Sequence, residues 1–124
     1  MKKNELEKLR NLVEKSEYFL LKNKEGNFYD QRANARSKIV KKVLASIYGF
    51  KQVRVKRGTG TASGWIYVDI TVETSKRNFP RELKDRYKIE KMLEKIGIEF
   101  PQYFPDAGPG DCWTNCLIIN LEIH

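Results

Sequence analysis

The spacing of apolar positions switches between a helical and a strand period along this chain, and each switch predicts a new element. From about residue 4 to about residue 22, Leu6, Leu9, Val13 and Leu20 fall near one helical stripe, with Phe19 and Leu21 beside it. The run Asn23-Lys24-Glu25-Gly26-Asn27 reads as a turn. A second helix is predicted over about residues 30–48, with Asp30 as its N-cap. Ile39, Val40, Val43, Leu44 and Ile47 make its apolar face. Gly49 is placed to stop it, and Phe50 to fold back as the hydrophobe that follows.

The period then shortens. Val53 and Val55 alternate with Arg54 and Lys56, which predicts a short strand. After Gly58-Thr59-Gly60-Thr61-Ala62-Ser63-Gly64, the residues Ile66, Val68, Ile70 and Val72 alternate with Trp65, Tyr67, Asp69, Thr71 and Glu73. The two strands and their Gly-rich connection predict a β-hairpin. A third helix opens near Ser75 to Pro80, carries Leu83, Tyr87, Ile89, Leu93 and Ile96, and stops at Gly97. A Pro- and Gly-rich loop runs from Phe100 to Asp111, and a last strand spans Trp113 to Ile123 with Leu117, Ile119, Leu121 and Ile123 alternating inward. The order α-α-β-β-α-β predicts a single α+β domain over residues 1–124, with a small, mainly antiparallel three-stranded sheet. The third helix must cross one face of that sheet. The other face is then covered by another helix, left to solvent, or used for a partner.

Composition narrows the function classes. At 124 residues the chain can bury a core without disulfides or metals. Lys and Arg total 24 against 16 Asp and Glu, a formal charge of +8, which favours an anionic partner such as nucleic acid, a nucleotide or an acidic protein. No apolar run approaches the roughly 20 residues of a membrane span, and the start is charged rather than secretory, so a cytoplasmic location and no membrane partner are expected. The two cysteines, Cys112 and Cys116, make no disulfide framework. With His124 as the one histidine, neither a zinc site nor histidine acid–base chemistry is assembled, and no cofactor is expected. Asp106 and Asp111 sit in a Pro/Gly loop and are read as turn chemistry rather than as a magnesium or acid–base pair.

The hairpin connection carries the main candidate site. Gly58, Thr59, Gly60, Thr61 and Ser63 supply backbone N–H groups and hydroxyls, and Arg54, Lys56 and Arg57 bring positive charge to the same place. Such a loop can form an anion-binding concavity. It is no P-loop, because the Lys-Ser/Thr pair is missing and the loop leads into a strand. Trp65 and Tyr67 alternate away from the Ile/Val face, where they either stack nucleobases beside the cations or pack beneath the first helix. At 100° per residue, Arg32 and Arg36 lie in line with Ile39 and Val43, replacing two turns of the apolar stripe with guanidinium groups. They either bind phosphate or carboxylate, pair with Asp30, Glu25 or Asp69, or snorkel to solvent.

Four segments also carry a resemblance: Ala33-Asn34-Ala35-Arg36, Val53-Arg54-Val55, the Gly-Thr-Ala-Ser-Gly-Trp run ending at Trp65, and Asp106-Ala107-Gly108. Over about half the chain these resemble the large polyvalent protein-associated domains and their free-standing relatives in phages and plasmids. The resemblance implies a mobile-element setting and assigns no residue a role. The expectation is a non-enzymatic binding protein that engages nucleic acid or a nucleotide through Arg54, Lys56, Arg57 and the 58–64 loop, assisted by Arg32 and Arg36. The alternatives are an anti-defence protein that blocks a host immune complex by protein contact, and one that sequesters a nucleotide signal, for which a homodimer with a deep pocket would speak.

Overall fold

A computed structural model describes residues 3–24, 26, 28–58, 65–72, 85–100, 102–103, 114–115 and 117–123. Its first predicted helix is two. Helix α1 spans Lys3–Glu14 and α2 spans Glu17–Lys22. Ser16 makes the break, because it has extended backbone angles and its hydroxyl accepts from the Phe19 N–H, which caps α2. The bend changes which residues face inward. Tyr18 is buried at 1% exposure, whereas Leu20, expected on the stripe, is 75% exposed.

Helix α3 spans Tyr29–Tyr48. Asp30 is not its cap: the cap position is Phe28, and Asp30 lies in the first turn. Gly49 ends the helix as expected, with φ +103° and its N–H donated to the Ala45 carbonyl at 2.8 Å. Phe50 does not fold back onto the core. It opens a 3₁₀ turn, Phe50–Gln52, and stands 71% exposed with the Lys41 ammonium 4.8 Å from its ring centre.

Strands β1, Val53–Arg57, and β2, Ile66–Val72, form the predicted antiparallel hairpin. Residues 73–84 lie outside the described residues, and with them the predicted opening of the third helix at Ser75 to Pro80 and its Leu83. Helix α4 is described over Arg86–Lys95, where Asp85 accepts from the Tyr87 N–H at 2.7 Å as N-cap, and Gly97 turns the chain at φ +102°. Two short strands, β3 at Gln102–Tyr103 and β4 at Thr114–Asn115, pair antiparallel, and β5 spans Leu117–Ile123.

The fold is α+β, with a three-stranded sheet in the order β1-β2-β5. The sheet is mixed: β1 runs antiparallel to β2, but β5 runs parallel to it. A chain that leaves β2 and returns beside it through a helix arrives in the same direction, which is why the expected antiparallel character is lost here. Val53, Ile70 and Leu121 form one row of the core face, and Val55, Val68 and Ile119 the next. The helices cover this face in one cluster with Val40, Val43, Leu44, Ile89 and Leu93, each at 0% exposure. Each such side chain contributes about 1.5–3 kcal/mol by leaving water.

Candidate nucleic-acid interface

Because strand side chains alternate, the residues between the core positions must emerge on the other face of the sheet. That face is open. Arg54 and Lys56 of β1, Asp69 and Thr71 of β2, and Asn120 and Glu122 of β5 are all exposed, and Tyr67 is half-buried. The cross-strand rows are Lys56–Tyr67–Ile118, Arg54–Asp69–Asn120 and, at the far end, Thr71–Glu122. Ile118 is 37% exposed, so the Tyr67 ring has an apolar neighbour on one side and an ammonium on the other. The ladder continues one step beyond β2, where the Gly58 N–H donates to the Trp65 carbonyl at 2.9 Å. Trp65 is half-buried, and its position two residues before Tyr67 puts it on the same side of the strand.

Charge divides this surface. The hairpin end holds Lys56 beside the aromatic positions, the middle row sets Arg54 opposite Asp69, and the far end holds Glu122. Asp69 also accepts from the Asn120 side-chain amide at 3.0 Å, which fixes its carboxylate in the middle of the face. A cleft of about 650 Å³ beside β5 is lined by Asp69, Asp85, Arg86, Ile119, Asn120, Leu121, Glu122 and Ile123. Among the described lining residues three carboxylates face one cation, Arg86, so the cleft disfavours anions.

The expected site residues separate into two groups. Arg54, Lys56 and Tyr67 share the open face, with Trp65 at its edge. Arg32, Arg36 and Arg57 belong to the helical side of the sheet. Arg32 is a structural clamp: its Nε donates to the Leu21 carbonyl at 3.1 Å and its Nη2 to the Lys24 carbonyl at 3.2 Å. Leu21 lies in the last turn of α2 and Lys24 just beyond it, so the cation also meets the negative end of the helix. Arg57 occupies a core-side position opposite Ile66 and reaches Asp30 at 3.1 Å, tying the end of β1 to the start of α3. Asp30, expected as a partner for Arg32 or Arg36, is thus bound to Arg57. Arg36 is buried at 6% exposure, with its guanidinium carbon 5.6 Å from the Tyr18 ring centre. Gly58 is half-buried at the end of β1, and Thr59, Gly60, Thr61 and Ser63 lie outside the described residues, as do Cys112, Cys116, Asp106, Asp111 and His124.

Sequence reasoning missed Ile118 and Asn120 as members of the open face. The alternation around Leu117, Ile119 and Leu121 was the available signal, but it named no neighbour strand. Lys38, Lys42 and Lys51 are also exposed, and the Lys41 ammonium lies over the exposed Phe50 ring. Burial of Tyr48 raises the ionisation of its phenol beyond the ordinary range, so it stays protonated. Among the described residues, no three His, Cys, Asp or Glu side chains are grouped to hold a metal ion, and no helix is long and apolar enough to cross a membrane. No protein family, characterised protein or solved structure matches this chain in comparisons with each.

Proposed function

We propose that this protein binds single-stranded nucleic acid on the open sheet face and acts by binding, not by catalysis. One observation carries the reading: Tyr67 stands half-exposed on the central strand of an uncovered face, directly opposite Lys56. A ring in that position stacks a base, and the adjacent ammonium takes the phosphate that follows it. Trp65 and Tyr67 are separated by about 7 Å along the strand, enough for neighbouring bases. Arg54, two residues before Lys56 on β1, adds a second phosphate contact. Unpaired bases are needed for stacking, so a single strand fits this surface better than a duplex. A setting in a phage or plasmid, as the sequence resemblance implies, belongs to the same proposal.

Fluorescence anisotropy with a labelled single strand tests it across a salt series. Two phosphate contacts give a slope of log affinity against log salt of about −1.4. Lys56→Ala reduces the slope by about 0.7. Tyr67→Ala weakens binding by about 1–3 kcal/mol with the slope unchanged. Affinity that ignores both substitutions, or a duplex that binds as well as a single strand, refutes the reading.

A second reading, contact with a host protein, is favoured by the side-by-side exposure of Phe19 at 38% and Leu20 at 75% on α2. A band retained from host lysate after nuclease treatment, and lost with Leu20→Asp, supports that role.

A further inference from the structure

Arg36 is a cation in the core whose charge the described residues leave uncompensated. It lies on the α3 stripe with Ile39 and Val43, is 6% exposed, and has a buried Nε with no hydrogen-bond partner. A guanidinium does not shed its proton when buried. The chain must therefore carry the cost of a charged, unsatisfied donor, or a ligand must relieve it.

The surroundings suit an anion. Tyr18 backs the guanidinium with its ring, 5.6 Å from ring centre to guanidinium carbon. That ring is fixed, because the Tyr18 hydroxyl accepts from the Glu99 N–H at 2.9 Å and donates to the Glu99 carbonyl at 3.2 Å. The ring gives the cation an electrostatic neighbour but no lone-pair acceptor, so the buried Nε–H stays without a hydrogen bond. The neighbouring charges do not answer them either. Asp30 is engaged by Arg57, and Glu99 is exposed. Arg32, one turn earlier on the same stripe, adds positive potential while its own donors go to carbonyls.

We propose that Arg36, beside Tyr18, is the floor of a second anion site, closed over Nε in this structure, which opens to take a phosphate-class oxyanion edge-on through Nε–H and an adjacent Nη–H. The planar fork matches two oxygens of such a group. The site lies on the helical side of the sheet and stands whether or not the open face binds nucleic acid.

Urea unfolding of the intact chain in sodium phosphate and in sodium chloride of equal ionic strength tests this. Arg36→Met keeps the length of the stem and removes the charge. At about 100 times its dissociation constant, phosphate raises the folded-to-unfolded ratio of the wild type about 100-fold. Arg36→Met is expected to lose that rise and to be at least as stable as the wild type in chloride. Equal phosphate shifts in both proteins overturn the proposal, because phosphate excluded from any protein surface stabilises without a site. Should Arg36→Met not fold, the Arg36 Nε–H resonance of the wild type, assigned by its absence in Arg36→Lys, is followed during titration with inorganic phosphate and with 5′-AMP. Saturable movement supports the site, and the ligand with the lower midpoint tells free phosphate from a nucleotide phosphate. A resonance that moves with neither overturns it.

Discussion

Replacing Arg32 by alanine separates a structural cation from a binding one. Its guanidinium makes a half-buried bond to the Leu21 carbonyl at 3.1 Å and an exposed bond to the Lys24 carbonyl at 3.2 Å. Bonds from a charged donor are worth about 1.5–3 kcal/mol when shielded, and less in water. Taking about 1.5 kcal/mol for the shielded bond and about 0.5 kcal/mol for the exposed one, Arg32→Ala costs about 2 kcal/mol. That is roughly a 30-fold fall in the folded-to-unfolded ratio. The helix that depends on it is only 6 residues long, Glu17–Lys22, too short to hold itself. It carries Tyr18 and Leu21 into the core, so the loss should reach global stability and not stop at local fraying. Urea unfolding at pH 7 gives the stability, and anisotropy with a single-stranded oligonucleotide gives the affinity. The expected result is a lower unfolding midpoint with affinity unchanged under conditions where the variant is folded. Stability within about 0.3 kcal/mol of the wild type, together with a tenfold loss of affinity, would mean that Arg32 serves the ligand and that its carbonyl contacts are incidental.

Lys56→Ala is expected to show the opposite pattern, with binding weakened and the unfolding midpoint moved by less than about 0.5 kcal/mol, because the side chain is exposed and opposes Tyr67 at the surface. Glu90→Gln should stabilise the protein at pH 7, because burial, and then repulsion from Glu94, raises the Glu90 pKa above its ordinary 4.5. A raised carboxylate pKa means that ionisation opposes folding, so the gain is full above the folded-state value. It disappears as the pH falls below the ordinary value, which urea midpoints at pH 7 and pH 4 would show. Gly49→Ala should cost about 1–3 kcal/mol from backbone strain at φ +103°. The new Cβ also meets the Gln52 Oε1, but adding Gln52→Ala should restore little in a thermal melt, since the side chain can move and the backbone cannot.

The residues themselves disclosed a good part of this protein. The helix ending at Gly49 and the hairpin of Val53 to Val72 follow from local rules: a 3.6-residue or two-residue period, and a glycine where the backbone needs positive φ. The side of each strand was legible for the same reason, so Arg54, Lys56 and Tyr67 could be assigned together to the face away from the valines and isoleucines. The break at Ser16 was less visible, because the apolar spacing on either side of it still fits a continuous helix.

What only the tertiary structure decided was direction and partnership. Alternation in Leu117 to Ile123 fixes which residues point inward, but it is identical for a strand read up or down, and the parallel pairing with β2 depends on where the chain returns. The arginines were undecidable for a related reason. Their long stems can reach partners far away in sequence, so identical side chains on one helical stripe meet different fates. Arg32 ends on the Leu21 and Lys24 carbonyls, and Arg36 ends beside Tyr18 with no acceptor for its Nε–H. Period is a property of the chain, whereas the solvation of a charge is a property of whatever the fold packs against it.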